Sequence, residues 1–282
     1  MTNQAALGGN YSAAGSGAGS AVLNLNGAAQ VHLSLYAISA DEMFAVETDG
    51  AGQPLLVGSI LRQSGGPFAS ATFAGNEVVQ MAGTSGAGSG GTTTQMIFGL
   101  MSADGGGNAA LSAAEMTNNG VSEVDAAYTA TVSAGGRAVL GPGAGSPIVY
   151  FVSANEGFVL GTDASVMTGW MGPQNAGAIT ASTFNGTMSG GSIFPTSAGV
   201  TQSIVALSFD GKGNVSGTGA SSGPNGLALL PVQQGTYSVS AGDIFLSITW
   251  PLQNPQPMLI ASPGMVIVVP SDASFAPIVV NK

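Results

Sequence analysis

The chain carries one histidine, His32, the side chain best suited to act as a general base near neutral pH. In VHLSLYAIS it alternates with Ser34 and Tyr36, opposite the leucines, as on one face of a β-strand. A nucleophilic triad needs such a base between a carboxylate and a nucleophile. His32 has no counterpart in the related segments described below. We therefore interpret it as a strand-surface residue and predict no catalytic residue.

Three aspartates occur in similar short segments, each directly after a Thr or Ser: Asp49, Asp163 and Asp272. A carboxylate at such a position can bind a cation. It can also accept a hydrogen bond from a backbone N–H group in an Asx-type turn or from a neighbouring strand. We favour the second interpretation and predict a structural role for these three residues.

Two loops read Asp-Gly-x-Gly-Asn, with Asp104 and Asn108 in the first and Asp210 and Asn214 in the second. A calcium site draws on several oxygen ligands, typically Asp at alternate positions and a final Glu. Each of these loops has a single Asp. Glycine adopts positive φ readily, and Asp and Asn bond to their own backbone, so we predict hairpin turns. No metal or cofactor site is predicted.

Other residues that could bind or cleave a sugar do not form a repeated pattern. Glycosidases use two carboxylates, but no pair of neighbouring acids recurs between the related segments. Phe158, Trp170 and Trp250 are predicted to pack in a core or at a barrel end rather than to form a sugar platform. We therefore predict that the protein is not an enzyme.

The composition excludes several kinds of partner. Only 6% of the 282 residues are charged, and four Lys and Arg oppose fourteen Asp and Glu. A nucleic-acid binder needs clustered basic residues, and the chain has no such cluster. It also has no cysteine, and therefore no disulfide or thiolate site. The longest apolar runs, such as 258–269, contain Pro and are too short to span a bilayer, so no membrane span is predicted.

The related segments recur at nearly constant spacing, which indicates a repeated unit. Three marks occur three times: Tyr11, Tyr128 and Tyr237; Ser39, Ser153 and Ser262; Asp49, Asp163 and Asp272. The interval between successive members is nearly the same in all three sets, and the serines and aspartates keep identical intervals. Further marks, such as Phe73 and Phe184, occur only twice. Residues 67–175 and 176–282 are therefore predicted to be complete units, and residues 1–66 only the second half of one.

Each unit is predicted to consist of β-strands. Segments such as DIFLSITW and TYSVS place apolar side chains at alternate positions, as half-buried strands do. Clusters of Gly, Pro, Asn and Ser separate them, as turns do. We expect about eight strands per complete unit and four or five in residues 1–66. The predicted fold class is all-β, with tandem antiparallel up-and-down barrels or barrel-like sandwiches and an N-terminal half-unit.

The order of four short motifs resembles that in uncharacterised secreted and surface β-repeat proteins of acidobacterial type. The motifs are Phe-x-Gly, Asp-Gly-x-Gly-Asn, Gly-x-Tyr-x-Val and Val-Ser…Thr-Asp. The resemblance covers most of residues 68–282 and the half-unit before them. It implies secretion and carries over no catalytic residue. The chain departs from that pattern by starting in the middle of a unit and by having fewer charges.

The half-unit suggests a function. Half a barrel leaves two strand edges and an apolar face open, and unpaired edges template association with another chain. We expect a secreted, cell-surface structural subunit of a filament, pilus-like fibre or surface layer, polymerised head to tail by strand complementation. The alternative is a fragment of a larger surface protein whose barrels bind a small ligand or surface glycan. The first residues lack signal-peptide features, so we expect any signal peptide to lie outside this chain.

Overall fold

The computed structural model describes residues 8–24, 30–50, 57–88, 91–117, 120–163, 166–174, 179–192, 202–223, 225–239, 245–251, 255–262, 264–268 and 278–282. They form antiparallel strands and two short 3₁₀ turns, which confirms the all-β prediction. Two compact units are present, residues 1–64 and 65–282. In the described part of the chain, no helix has the length and apolar character needed to cross a membrane.

The first unit is an open sheet of five strands in sequence order. They are β1 (Gly8–Ala13), β2 (Ala18–Asn24), β3 (Gln30–Ala37), β4 (Glu42–Glu47) and β5 (Val57–Leu61). One face carries a small cluster of buried side chains, Ala21, Leu35 and Ala45, with Leu33 packed against it. We call this side of the sheet the apolar face.

The second unit contains two closed eight-stranded barrels. Barrel 1 consists of β6 (Ala74–Gly88), β7 (Gly91–Asp104), β8 (Asn108–Thr117), β9 (Gly120–Val132), β10 (Arg137–Leu140), β11 (Ile148–Ser153), β12 (Glu156–Leu160) and β13 (Val166–Pro173). Barrel 2 consists of β14 (Asn185–Ser192), β15 (Gln202–Asp210), β16 (Asn214–Gly223), β17 (Gly226–Val239), β18 (Phe245–Thr249), β19 (Gln256–Ser262), β20 (Met265–Val268) and β21 (Ile278–Asn281). The last strand of each pairs with the first, which closes the barrel and leaves no sheet edge.

Buried side chains occupy the interior of each barrel, as expected for eight strands. In barrel 1, the ring of Phe151 packs against the rings of Phe68 and Phe73 at centroid distances of 5.9 and 5.5 Å. In barrel 2, the ring of Tyr237 packs edge-on against that of Phe209 at 5.1 Å. A 3₁₀ turn precedes Phe73, and a second one precedes Phe184, so the repeated Phe-x-Gly motif begins each barrel.

A further apolar cluster joins the outer surfaces of the two barrels. Barrel 1 contributes Val78, Ala82, Met96, Phe98 and Met116, and barrel 2 contributes Leu259, Ala261 and Ile267. Gln174, directly after β13, adds a hydrogen bond from its Nε2 to the backbone oxygen of Ile260 at 3.3 Å. The second unit therefore has a buried contact between barrels as well as a core within each.

Candidate functional site

The three repeated tyrosines occupy equivalent strand positions but differ in burial. Tyr237 is 5% exposed, and its hydroxyl donates to the backbone oxygens of Ala181 and Phe184 at 2.8 and 3.0 Å. Tyr128 packs against the interior of barrel 1, where burial raises the pKa of its hydroxyl. Tyr11 is 83% exposed, although it lies directly opposite Ala21 on the apolar face of the first unit.

The difference follows from the strands that each unit possesses. The repeat marks align β1–β5 of the first unit with β9–β13 of barrel 1: Tyr11 lies in β1 and Tyr128 in β9. The described part of the first unit has no counterpart of β6–β8, the three strands that complete barrel 1. Tyr237, by contrast, is covered by the start of β14 and the turn before it. The apolar face of β1–β5 is thus the inner surface of five-eighths of a barrel, and we treat it as the candidate site.

The Asp-Gly-x-Gly-Asn loops are hairpin turns that satisfy their own carboxylates. Oδ1 of Asp104 accepts from the backbone N–H groups of Gly106 and Asn108 at 2.7 and 2.9 Å. Oδ2 of Asp104 accepts from the side-chain amide of Asn108 at 2.6 Å. The Asn108 amide, followed by the backbone bonds, lowers the pKa of Asp104. Among the described residues, no three His, Cys, Asp or Glu side chains are grouped to hold a metal ion.

The second loop repeats this geometry. Oδ1 of Asp210 accepts from the backbone N–H groups of Lys212 and Asn214 at 2.7 and 2.9 Å, and Oδ2 accepts from the Asn214 side chain at 2.6 Å. The pKa of Asp210 is lowered, chiefly by the Asn214 amide. The equivalent loops of the two barrels therefore use one turn design, in which the carboxylate oxygens are already bonded.

Replacing Asp104 by Ala is expected to lower the melting temperature by a few degrees, because the N–H groups that organise the loop lose their acceptor. Since the folded-state pKa of Asp104 is lowered, this contribution is present above the ordinary pKa of 3.8 and is lost as the pH falls through the folded-state value. Differential scanning calorimetry of D104A and of D210A at several pH values measures the loss of stability and its pH dependence. The same measurement with and without calcium tests the turn interpretation. A calcium-dependent rise in the melting temperature of the parent protein would contradict the turn interpretation.

The remaining aspartates lie at the ends of strands. Asp49 accepts from the backbone N–H of His32 at 3.0 Å and contacts Nδ1 of the same histidine at 2.5 Å. The His32 backbone N–H is the main cause of a lowered pKa at Asp49. Asp163 follows β12 at the surface, and Asp272 lies outside the described residues. The structure thus places an aspartate beside His32, but among the described residues no hydroxyl bonds to the other ring nitrogen.

The three aromatic residues singled out in the sequence divide into two groups. Trp250 packs against the core cluster of barrel 2. Trp170 is partly buried on the outer side of barrel 1, directly opposite Phe158, with its ring over Gly172. Phe158 is 38% exposed on the outer surface of barrel 1, and its prediction as a packing residue is wrong. Phe158 alternates with the buried Gly157 and Val159 on β12, but alternation does not say whether a neighbouring element covers the outer side.

Glu77 is a chemically unusual residue that the sequence analysis missed. It lies on β6 in alternation with the interior residues Val79 and Met81, and it is fully buried. Neither of its carboxylate oxygens has a hydrogen-bond partner among the described residues. Burial raises its pKa to about 8, so the side chain is neutral near pH 7. Comparison of the repeated segments could have identified Glu77, because the equivalent position of barrel 2 holds an apolar residue, Met188.

A small ligand would have to bind outside the barrels, because side chains occupy both interiors. Two depressions of about 650 and 500 Å³ lie side by side over β7, β8 and β9 of barrel 1. Both are lined largely by small side chains, among them Ser102, Ala110 and Ala127. Asp125 is the acidic residue in the smaller depression, and Asp104 in the larger.

No protein-family model, no curated protein and no solved structure matches the chain. The resemblance to acidobacterial surface repeat proteins therefore stays a prediction.

Proposed function

We propose that the protein is a non-enzymatic structural subunit of an extracellular bacterial filament, pilus-like fibre or surface layer, in which strands of a neighbouring chain complete the open sheet of the first unit. The observation that carries the proposal is the exposure of the apolar face. Tyr11, at 83% exposed, occupies the position at which Tyr237 is 5% exposed. Met43 and Ile60 are also exposed on this face.

The sheet edges support the same function. Among the described strands, β1 pairs only with β2, and β5 pairs only with β4. Each edge strand therefore presents backbone donors and acceptors that can bind another strand. Natural sheets commonly protect such edges with charged residues, especially Lys. Neither edge strand, GGNYSA nor VGSIL, contains a charged residue, so nothing of this kind opposes pairing.

The closed barrels indicate the structure that a segment completing β1–β5 would adopt. In barrel 2, the 3₁₀ turn and the Phe184 that follows it bring two backbone oxygens, those of Ala181 and Phe184, to the Tyr237 hydroxyl. A complementing segment would place a similar turn over Tyr11 and add three strands, which is the number that an eight-stranded barrel still needs. Pairing of this kind uses backbone hydrogen bonds for affinity and side-chain pockets for specificity.

We expect the purified protein to form ordered filaments or sheets in electron micrographs, and Tyr11→Asp to abolish them. The new carboxylate would have to be buried without a partner when the sheet is completed. Asn10→Asp is the matched control, because it adds the same charge to the opposite side of β1. Light scattering measures the assembly, and circular dichroism confirms that both variants keep their strands. Equal assembly of the two variants, or a dispersed parent protein, would argue against the proposal.

The alternative function, a larger surface protein that binds a ligand or glycan, is favoured by the adjoining depressions over β7–β9. In that case the three missing strands would belong to the same polypeptide, and the full-length protein would be a monomer. Binding of a panel of soluble glycans, measured by calorimetry, together with a monomeric mass for the natural full-length protein, would support this alternative.

A further inference from the structure

The contact between the two barrels involves a pair of apolar side chains whose equivalents recur elsewhere in the chain. On barrel 2, Leu259 of β19 lies directly opposite Ile267 of β20, and both side chains are fully buried. They point away from the interior of barrel 2 and pack in the cluster that contains Phe98 of barrel 1. The outer surface of β6–β8 in barrel 1 thus packs against the outer pair on β19 and β20 in barrel 2.

The equivalent outer pair occurs in barrel 1 and in the first unit, where it is exposed. In barrel 1, Tyr150 and Phe158 lie directly opposite each other on β11 and β12, at the positions that the repeat aligns with the buried pair. In the first unit, Tyr36 and Phe44 lie directly opposite each other on β3 and β4, again at the aligned positions. Ile38, which occupies the position of the buried Ala261, extends this second pair. We call Tyr36, Ile38 and Phe44 the β3–β4 triad; they are 53%, 61% and 39% exposed.

Barrel 2 carries an exposed apolar surface that shares one position with the surface on β6–β8. The other described counterparts of that surface, Ser189, Gln202 and Ser222, are polar. The Asp-Gly-x-Gly-Asn loops align Ile204 of β15 with Phe98 of β7, yet Ile204 is 64% exposed whereas Phe98 is fully buried. Ile204, Ala220 and Leu229 form one row across β15, β16 and β17. Leu227 lies one step further along the outer side of β17. We call Ile204, Leu227 and Leu229 the β15–β17 patch.

A change of register on β17 creates much of this patch. The pairing between β16 and β17 shifts between Gly217 and Gly219, where β17 contains one extra residue. Because strand side chains alternate, one extra residue moves the following side chains to the other face. Leu227 and Leu229 consequently lie on the outer side with Ile204, and they are 74% and 78% exposed. An irregularity that places two leucines in solvent beside an exposed isoleucine is typical of a binding surface.

We propose that the β15–β17 patch of one copy of this chain packs against the β3–β4 triad of a second copy, as the outer face of β6–β8 packs against Leu259 and Ile267 within one chain. The internal contact joins barrel 1 to barrel 2 through the outer pair on one side and, on the other, a surface that contains Phe98, the counterpart of Ile204. Barrel 2 of one copy would join the first unit of the next copy in a similar way. Since the two surfaces differ, the contact is heterologous and extends without closing.

The β3–β4 triad is the better acceptor of the two exposed pairs. It presents three apolar side chains, including Ile38, where barrel 1 has the less exposed Val152. The described segments 202–206 and 226–232 on the β15–β17 side contain no charged residue, so the patch brings no like charge to Glu42, which lies beside Phe44 on the face of the triad. The inference deepens the proposed structural function and rests on it for the biological role, but the contact is made by strand faces and does not require a strand to be exchanged.

The absence of cysteine from the chain permits a direct test by cross-linking. Ile204→Cys and Phe44→Cys are made singly and together, and the folded proteins are oxidised under native conditions. We expect covalent dimers from a mixture of the two single variants, a ladder of polymers from the double variant, and monomers from either variant alone. The matched pair Ile204→Cys with Phe158→Cys, which uses the equivalent position on barrel 1, is expected to stay monomeric.

Three results would overturn the proposed contact: no cross-link in the mixture, dimers from Ile204→Cys alone, or cross-linking only to Phe158→Cys. Leu229→Glu provides a second test and is expected to weaken association about tenfold or more, as loss of a central apolar residue does. Ala228→Glu, on the other face of the same strand, is its control. Filaments that form without the Ile204–Phe44 cross-link would refute this contact while leaving strand complementation of β1–β5 intact. A cross-link that persists in Tyr11→Asp would support the contact by itself.

Discussion

Replacing Glu77 by Met is expected to raise the free energy of unfolding by about 3 kcal/mol near pH 7. Glu77 is fully buried, and its carboxylate oxygens have no hydrogen-bond partner among the described residues. Desolvation raises its pKa from 4.5 to about 8. The folded protein therefore keeps a proton that the unfolded chain releases, and folding becomes less favourable as the pH rises. Met is the natural replacement, because Met188 occupies the equivalent interior position of barrel 2.

The sign of the pH dependence follows from the two pKa values. Below the unfolded-state value of 4.5, Glu77 is protonated in both states and adds no pH dependence. Between that value and about 8, the parent protein loses about 1.4 kcal/mol of stability per pH unit through this residue. Above the folded-state pKa the penalty is complete and constant. The Met variant should lack this component of the slope.

Chemical denaturation at several pH values between about 5 and 8 measures the difference. Glu123→Met is the matched control, because Glu123 is an exposed residue of β9 in the same barrel. It replaces the same kind of ionisable side chain at an exposed site and is expected to leave the pH dependence unchanged. If Glu77→Met showed the same slope as the parent, the carboxylate would have to be ionised or hydrogen-bonded in the folded protein.

Replacing Phe98 by Ala is expected to lower the free energy of unfolding by about 3–5 kcal/mol, the usual cost of deleting a buried aromatic side chain. Phe98 is fully buried between the two barrels, in the cluster that includes Leu259 and Ile267. The cavity would weaken the contact between two separately closed cores. We therefore also expect the barrels to unfold in two steps rather than together.

The two tryptophans provide the measurement, since Trp170 lies in barrel 1 and Trp250 directly after β18 in barrel 2. Fluorescence of Trp170 in a Trp250→Phe background follows barrel 1, and calorimetry follows both barrels. Ile204→Ala is the control, because Ile204 is the exposed counterpart of Phe98. Its effect on the dispersed protein should stay within about 0.5 kcal/mol. Coincident and unshifted transitions in Phe98→Ala would contradict the coupling of the barrels.

Much of the fold follows from local sequence. The spacing of Tyr128 and Tyr237 predicts two similar units, and the Asp-Gly-x-Gly-Asn loops predict hairpins because Gly, Asp and Asn favour turn geometry. The count of eight strands per complete unit is confirmed, and the described part of the first unit forms an open sheet of five strands. Turns and alternation are encoded by neighbouring residues, so a single sequence is sufficient to predict them.

The burial of individual side chains in and around the candidate site depends on contacts that no local pattern encodes. Tyr11 and Tyr237 hold equivalent places in the repeat and have similar neighbours, yet one is exposed and the other is buried. Glu77 looks like an ordinary strand residue until the barrel closes around it. Likewise, Tyr36 and Phe44 cannot be distinguished by alternation from Leu259 and Ile267, which are buried against barrel 1.

The sequence by itself determined the strands, the turns and the repeat, because these depend on backbone preferences and on a period of two residues. Only the tertiary structure decided which strand faces are covered. Alternation divides the side chains of a strand between two faces, but closure of a barrel and packing of a neighbour determine the burial of each face. That is why the repeat predicted an open first unit, whereas the exposure of the outer pairs, on which the contact between copies is proposed to depend, appeared only when the strands were placed in space.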